Sequence, residues 1–307
     1  MNPINTRSTD AGLPPAATHP AALETLRTEL TGAVLHITLN RPEVRNAMSL
    51  RMVVELRAVL AGAESGGVVR VIVLRGAGGH FCAGGDLKDM AFARMRAGAV
   101  PDPAAEVAGA VAGSVAGAVA LLVSDPIAQI SAQFGQLCVA FATTPLAVVA
   151  VLEGTVMGGG FGLACVADVA LASETAVFRL PETSLGVVPA QIAPFLVERL
   201  GYSQAKRLAV TGGHLQAREA LAIGLVHAVH DEAAIAPALA LVLGDILACA
   251  PGALAATKAL IEKARMMPPA DLVRDAAEIF SHAAQGPEGR EGIAAFLQKR
   301  KPKWAVA

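Results

Sequence analysis

The chain has few charged residues and no strong excess of either sign. Charged residues make up 17% of its 307 positions and hydrophobic residues 54%, which excludes extensive disorder and predicts a compact fold with a large core. Lys+Arg 25 against Asp+Glu 26 gives a formal net charge of -1. The basic footprint of a nucleic-acid-binding protein is therefore missing, and any anion site must be local.

Cysteine is also scarce, and no C-x-x-C pair occurs. This spacing excludes a disulfide scaffold and a zinc knuckle, and it favours the reducing cytoplasm. The H-x-x-H of His227 and His230 lacks an accompanying acidic ligand motif, so we expect a structural or surface role for both residues and no metal site. The four cysteines are Cys82, Cys138, Cys165 and Cys249.

Several catalytic and cofactor motifs are absent. Phe81 and Leu163 stand where the last glycine of G-x-G-x-x-G would fall, so a dinucleotide fingerprint is not supported. No phosphate-binding G-x-x-x-x-G-K-[ST] loop occurs, and Ser114 lacks the glycine pattern of a nucleophile elbow. These absences exclude the best-marked nucleotide-binding and serine-hydrolase classes.

No run of large apolar residues is long enough to predict a membrane span or a signal peptide. The most hydrophobic stretch, Val107–Val123, consists mainly of Ala, Gly and Val between Glu106 and Asp125. We expect an Ala/Gly/Val-rich insertion over 97–123 and a flexible tail over 1–30.

Apolar strands alternate with helical patterns in the rest of the chain, which predicts an α/β fold with a sheet covered on both faces. Ser49 is expected to start the first helix. Helical patterns dominate from Ala193 onward. Strands are expected at Ala33–Leu39, Val69–Arg75, Leu146–Leu152 and Asp168–Ala172, and helices at Leu50–Leu60, Phe161–Val166, Ser203–Val210, Ala217–Ile223, Pro237–Cys249 and Leu254–Ala264.

Two glycine clusters, Gly76–Asp86 and Gly154–Gly162, each follow a predicted strand. Glycine lets backbone amides approach a ligand, so either cluster could bind an oxyanion, or could serve only as a tight turn. Glu182 lies in an apolar setting where burial would make it a usable acid or base, with a helix cap or a surface position as the alternatives. Asp86 is expected to cap the helix that follows it.

These segments together resemble the crotonase (enoyl-CoA hydratase/isomerase) superfamily in order and spacing. The resemblance covers about Ala33–Trp304 outside the insertion, and it implies a ββα spiral core over 31–200 with a C-terminal helical trimerisation region over 201–307. The motifs that carry it are NRP at 40–42, NAMS at 46–49, FCAGGDLKDM at 81–90, GGG at 158–160, LPE at 180–182 and FLQKRKPKW at 296–304.

The resemblance also implies a site for a coenzyme A thioester, with no other cofactor. The amides of Gly85 and Gly159 would hold the thioester oxygen, and Glu182 would be the catalytic acid/base. A homotrimer or hexamer is implied, with no nucleic-acid or membrane partner. The implied coenzyme A contacts are Val44, Arg45, Ala83, Asp86 and Lys88.

One position departs from the two-glutamate members of that family. Gly162 stands where they carry the first catalytic glutamate, and we expect the missing side chain to leave space beside the acyl group. A roomy apolar pocket is expected there. Its candidate lining residues are Met90, Phe92, Met95, Phe134 and Gly162, although core packing is an alternative for the four large side chains.

Within the superfamily, GGGFGL at 158–163 and VVPAQIAP at 187–194 resemble the branch that acts on branched glutaconyl-CoA esters. The implied activity is hydration of an α,β-unsaturated acyl-CoA such as isohexenylglutaconyl-CoA, in terpene degradation, or 3-methylglutaconyl-CoA. Because a single carboxylate can also move a proton between two carbons, an enoyl-CoA isomerase is an alternative. A non-enzymatic acyl-CoA-binding protein is another alternative, motivated by Gly162.

Overall fold

The computed structural model describes residues 22–86, 88, 89, 91, 95 and 125–305 of a mixed α/β chain. The described strands are β1 (Leu26–Thr31), β2 (Val34–Leu39), β3 (Val71–Gly76), β4 (Ala147–Leu152), β5 (Thr155–Met157), β6 (Val169–Ser173), β7 (Val177–Arg179), β8 (His214–Gln216) and β9 (Ala228–His230). The described α-helices are α1 (Leu50–Ser65), α2 (Pro126–Thr143), α3 (Gly159–Val166), α4 (Ala193–Thr211), α5 (Ala217–Ala222), α6 (Glu232–Ala248), α7 (Pro251–Met266), α8 (Pro269–Gln285) and α9 (Pro287–Leu297).

Six of the strands form one sheet in the order β1-β2-β3-β4-β6-β9. Strands β1 and β2 make an antiparallel hairpin, and every later pair in this sheet is parallel. The other three described strands form a second sheet in the order β5-β7-β8. Because parallel neighbours need a crossover, α1 connects β2 to β3, as the strand–helix–strand pattern predicted.

Both faces of the larger sheet are covered, which confirms the α/β prediction. Successive side chains of a strand point to opposite faces, so Ile72 and Leu74 of β3 join the main core while Val71 and Val73 join a second one. The main core also contains buried residues of α1, α2, α3 and α4. The second core lies against α6 through Ile235.

Polar side chains cap the N-termini of α1 and α2. Ser49 Oγ accepts a hydrogen bond of 3.2 Å from the Met52 N–H and begins α1, as predicted. Asp125 Oδ1 accepts one of 2.8 Å from the Ile127 N–H at the start of α2. Helix α3 has no such side chain, because its N-cap is Gly158.

The expected segment boundaries need correction in two places. Strand β1 begins at Leu26, so residues 26–30 belong to the sheet and not to the predicted tail. The region after residue 200 is mainly helical, as predicted, and it also contributes β8 and β9 to the two sheets. The boundary at 200 falls inside α4, at a kink where Gly201 has a φ of 72°. The predicted insertion over 97–123 lies outside the described residues.

The last helices carry a large exposed apolar surface. No residue of α7 or α8 is buried, although both contain large hydrophobic side chains. No single helix in the described ranges is long and apolar enough to cross a bilayer, and only α6 and α7 together, bent by 98°, meet the length and composition required. The large apolar residues most exposed along α7, α8 and α9 are Ile261, Met266, Val273, Phe280, Ile293, Phe296 and Leu297.

Candidate active site

The two glycine clusters meet at a pair of glycines with left-handed backbone conformations. Gly84 has a φ of 96° and Gly158 a φ of 47°, and a Cβ on Gly158 would lie 3.5 Å from the Gly84 Cα. A parallel bridge from Cys82 to Val156 fixes the register of the two loops. Glycine is favoured at both positions because L side chains rarely adopt these positive φ values.

Gly85 and Gly159 directly follow these two glycines, and each has an uncommitted backbone amide. In the bridge between Met48 and Gly85, the Met48 N–H donates to the Gly84 C=O and the Met48 C=O accepts from the Asp86 N–H, so the Gly85 N–H points away from this partner. Gly159 is the first residue of α3, where an amide has no acceptor within the helix. Neither amide donates a hydrogen bond to any described residue.

Glu182 brings a carboxylate to the same place. It begins the 3-10 turn Glu182–Leu185, and a Cβ on Gly158 would lie 3.0 Å from Glu182 Oε1. Its other oxygen, Oε2, is buried and has no hydrogen-bond partner among the described residues. Burial raises the pKa of this carboxyl above its ordinary value, while a hydrogen bond from its own backbone N–H partly opposes the shift.

One cavity of about 200 Å³ joins these groups. Gly85, Gly159 and Glu182 all line it, and the Phe134 side chain forms another part of its wall. A Cβ on Gly159 would be 3.2 Å from Phe134 Cζ, so this ring lies close beside the free Gly159 amide. Two amide donors and a carboxylate in one cavity can stabilise a developing oxyanion and transfer a proton.

The structure contradicts the space expected beside Gly162. A Cβ on Gly162 would lie 2.3 Å from Ile192 Cγ2 and 3.5 Å from Phe134 Cζ, so those two side chains already fill that space. Gly162 is buried and does not line the cavity, whereas Ile192 does. The prediction of Gly162 as a pocket residue is therefore wrong.

The other pocket predictions have different outcomes. Met95 is 70% exposed and is not among the described residues that line the cavity. Phe134 lines the cavity, as stated above. Met90 and Phe92 lie outside the described residues.

The predicted coenzyme A contacts cluster beside the Gly85 loop. The Ala83 N–H donates to the Arg45 C=O at 2.9 Å, and the Val44 C=O accepts from the Ala47 N–H at 3.1 Å. The side chains of Arg45 and Lys88 are exposed and form no ion pair with a described residue. Both cations are therefore available to an anionic ligand.

Asp86 has the capping hydrogen bond that was expected of it. Its Oδ1 accepts from the Lys88 N–H at 3.0 Å, and its Oδ2 forms a 2.9 Å ion pair with Arg41. Arg41 Nη1 also donates to the Ala47 C=O at 2.6 Å. These contacts fix the loop that carries the Gly85 amide.

His227 has the structural role that the sequence favoured. Its Nδ1 accepts a 2.9 Å hydrogen bond from the Ala170 N–H of β6. Burial lowers the pKa of this half-buried histidine, and the nearby Arg199 lowers it further. Because its Nδ1 accepts this backbone hydrogen bond, the neutral imidazole has a structural role beside β6.

Sequence reasoning missed two polar residues of the cavity wall, Ser131 on α2 and Gln191 before α4. Gln191 Nε2 donates to Ser131 Oγ at 3.1 Å. The sequence feature that could have indicated this contact is Gly135, because an isolated glycine inside a helix is costly and often marks a close contact. A Cβ on Gly135 would lie 2.1 Å from Gln191 Oε1.

A sheet flanked by helices, with a glycine-lined cavity between two loops, defines the crotonase fold class. A family model described as enoyl-CoA hydratase/isomerase matches residues 34–243. Two solved structures have a TM-score of 0.81 to this chain and cover 92% of it: an enoyl-CoA hydratase/isomerase from Marinobacter aquaeolei, 48% identical and 99% covered, and AtuE from Pseudomonas aeruginosa, 49% identical and 100% covered.

Relatives with named activities agree with this assignment. The mevalonyl-coenzyme A hydratase SIDH of Beauveria bassiana is 31% identical over 280 residues, which are 88% of this chain and 91% of that protein. The enoyl-CoA hydratase AFT6-1 of Alternaria alternata is 31% identical over 276 residues, 89% of this chain and 82% of that protein. The chain belongs to the enoyl-CoA hydratase/isomerase family, and it is an enzyme of the hydratase type.

Proposed function

We propose that this enzyme hydrates the α,β double bond of a branched glutaconyl-CoA, such as isohexenylglutaconyl-CoA. The observation that carries the proposal is the meeting, in one cavity, of two uncommitted amides and one carboxylate with an unpartnered oxygen. The amides belong to Gly85 and Gly159, and the carboxylate to Glu182.

In this mechanism the two amides stabilise the enolate oxygen that forms when water adds to the substrate. Loss of one such donor costs about 3 kcal/mol of transition-state stabilisation in comparable sites. Because these donors are fixed by the glycine–glycine contact between the loops, they need no rearrangement as charge develops.

Glu182 performs both proton transfers in the proposed reaction. Its carboxylate accepts a proton from water while the water oxygen bonds to the β carbon and the π electrons move toward the thioester. The resulting carboxylic acid then donates that proton to the α carbon, so one water is added and the carboxylate is restored. An elevated pKa favours this alternation between base and acid.

Coenzyme A is proposed to lie along the loop that contains Val44, Arg45 and Ala83. The exposed Arg45 and Lys88 side chains would meet its phosphates, and Asp86 would contact it through the backbone. A guanidinium can pair with phosphate through two hydrogen bonds, and an ammonium can pair as a point charge. No other cofactor is required by this reaction.

The acyl group is proposed to pass the apolar part of the wall. A branched chain would bury apolar surface there, and burial stabilises binding by about 25 cal/mol per Å². The smaller 3-methylglutaconyl-CoA would fit the same reaction. The apolar wall residues are Ile127, Ile130, Phe134, Val188 and Ile192.

Double-bond isomerisation is the second candidate reaction, and the packing at Gly162 favours it. With Ile192 filling the space beside Gly162, the family's first carboxylate is replaced by an apolar side chain. Glu182 could then move a proton between the α and γ carbons with no added water. The fate of water separates this reaction from hydration.

The exposed apolar surface of α7, α8 and α9 supports assembly into a homotrimer or hexamer. Monomers rarely expose a continuous apolar patch of this kind without a partner. Phe280, 75% exposed on α8, is a representative residue of this surface. Burial between copies would remove it from water.

We also propose that the enzyme works in the cytoplasm. All four cysteines are free, and three of them are buried in the core. Desolvation raises the pKa of Cys82 to about 11 and keeps its thiol protonated. A reducing compartment suits such unpaired thiols.

The test is a panel of enoyl-CoA esters, with and without a branch and a distal carboxylate, incubated in oxygen-labelled water. We expect loss of the conjugated thioester, with label at the β carbon and the highest kcat/KM for the branched glutaconyl ester. A shifted double bond without label would replace hydration by isomerisation. Highest activity on unbranched esters lacking a carboxylate would overturn the proposed substrate class.

A further inference from the structure

Ser131 and Gln191 form a neutral polar patch on the wall of the cavity, near apolar neighbours such as Ile130 and Ile192. Gln191 Nε2 donates to Ser131 Oγ at 3.1 Å, which joins α2 to the segment that leads into α4. Both residues are partly buried, so holding polar groups here has a desolvation cost. The reaction assigned to Glu182 makes no use of either residue.

Two glycines hold this segment in place. Gly135 makes room for the Gln191 amide, and Gly162 makes room for Ile192, with distances of 2.1 Å and 2.3 Å to a Cβ built on each glycine. The same neighbouring pair, Gln191 and Ile192, thus docks onto two different helices. The absence of a side chain at Gly162 is therefore coupled to the placement of Gln191 in the wall.

The patch offers hydrogen-bond donors to the cavity. Ser131 Oγ accepts from Gln191, so its hydroxyl proton remains to be donated, and the second Gln191 N–H is not used by any described residue. Two donors fit an acceptor such as a carboxylate.

The described part of the wall offers no cationic side chain that could bind a substrate carboxylate. No lysine or arginine lines the cavity among the described residues. Asp86 is paired with Arg41, and Asp89 Oδ2 accepts from the Leu50 N–H at 2.6 Å. Among the described wall residues, the donors available to a substrate anion are therefore neutral side chains and backbone amides.

The spacing between Ser131 and Phe134 along α2 is comparable to the length of a glutaconyl chain. Phe134 lies beside the Gly159 amide, and Ser131 precedes it by three residues on the same helical face. Three residues of an α-helix rise about 4.5 Å. In a glutaconyl thioester the distal carboxylate is four carbon–carbon bonds from the thioester carbonyl, a comparable reach.

The geometry points to Gln191 and Ser131 as the subsite that binds the distal carboxylate of the acyl chain. They are specificity-determining residues, and the inference rests on the proposed glutaconyl-CoA substrate. The Gln191 amide and the Ser131 hydroxyl each donate one hydrogen bond to the carboxylate. The apolar branch then remains against the rest of the wall.

The test compares glutaconyl-CoA with its distal methyl ester, which keeps the acyl carbon chain, removes the charge and adds one methyl group. The measured quantity is the ratio of kcat/KM for the acid to kcat/KM for the ester. We expect Gln191→Glu to lower this ratio at least ~10-fold, because it replaces a donor by a like charge, and Ser131→Ala to lower it in the same direction. The matched control is Gln136→Glu on the exposed side of α2, which should leave the ratio unchanged.

The outcomes separate this inference from the proposed function. If the wild-type enzyme prefers the ester, the proposed substrate class is wrong. A wild-type preference for the acid that survives in both variants would overturn the subsite alone. An equal loss on acid and ester in Gln191→Leu and in Ser131→Ala would assign the pair to water or to general packing. Turnover of the ester by each variant shows that it has folded.

Discussion

Ile192 and Gly162 share one space: a Cβ on Gly162 would lie 2.3 Å from Ile192 Cγ2. No Cβ fits at that distance, so a side chain at 162 requires Ile192 to move. Since Ile192 is buried and lines the cavity, its movement would also change the acyl pocket. With Ile192 in this position, no room remains at position 162 for a further carboxylate side chain.

Gly162→Ala should therefore destabilise the fold. Overpacking a core typically costs about 1–3 kcal/mol, and the cost should be smaller in an Ile192→Ala background, where the clash is gone. Thermal unfolding of the two single variants and the double variant measures this coupling. Gly62→Ala is the control, because its Cβ would meet nothing within 4 Å in α1 and alanine favours a helix. Equal costs of Gly162→Ala in both backgrounds would contradict the shared space.

Glu182→Gln should abolish most turnover while leaving the affinity for acyl-CoA nearly intact. The amide keeps the shape of the side chain but cannot accept and return a proton, so we expect kcat to fall by about 10²–10⁴. Steady-state kinetics and calorimetric titration with a coenzyme A ester measure the two effects. The control is Glu174→Gln, at an exposed ion pair with Arg218. Undiminished turnover would remove Glu182 from the mechanism.

The pH profile of hydration should report the raised pKa of Glu182. Burial raises this pKa above 4.5, and the carboxylate form is the one that accepts a proton from water. As pH falls through the raised pKa, the base becomes protonated and kcat/KM should decrease. A plot of kcat/KM against pH measures this acidic limb. An acidic limb with an apparent pKa at or below 4.5 would show that burial does not control the base.

Gly159→Pro should remove the proposed oxyanion donor with little harm to the helix. Proline is tolerated at the first position of a helix, where the N–H has no intrahelical acceptor. We expect kcat to fall by about 10²–10³, as for the loss of one oxyanion donor. Gly159→Ala keeps the N–H and adds a Cβ 3.2 Å from Phe134 Cζ, so it measures the steric effect of that carbon. Equal activity of the two variants would mean that the amide is not used.

Phe280→Glu should weaken the proposed homo-oligomer. This residue is 75% exposed in the described chain, and a charge buried between copies would be unpaired. Light scattering coupled to gel filtration should show a shift from a trimer or hexamer toward smaller species. Val68→Glu, at a 57% exposed position ahead of β3, is the control. A wild-type monomer in the same measurement would contradict the assembly proposal directly.

The glycine loops show what can be predicted from local sequence. Runs of glycine after strands indicated close backbone approach, and Gly84 and Gly158 make that approach. The position of Met95 was less predictable. A methionine near a site pattern is compatible with a wall or with the surface, and its 70% exposure places it on the surface.

The sequence by itself determined the alternation of strands and helices, the two glycine loops and the presence of Glu182. These features follow from hydrophobic period, from conformational freedom at glycine and from residue type, all of which are local. Only the tertiary structure decided that Ile192 fills the space at Gly162 and that Gln191 fits against Gly135. Those contacts join residues far apart in the chain, and they depend on how separate helices pack, which no local pattern encodes.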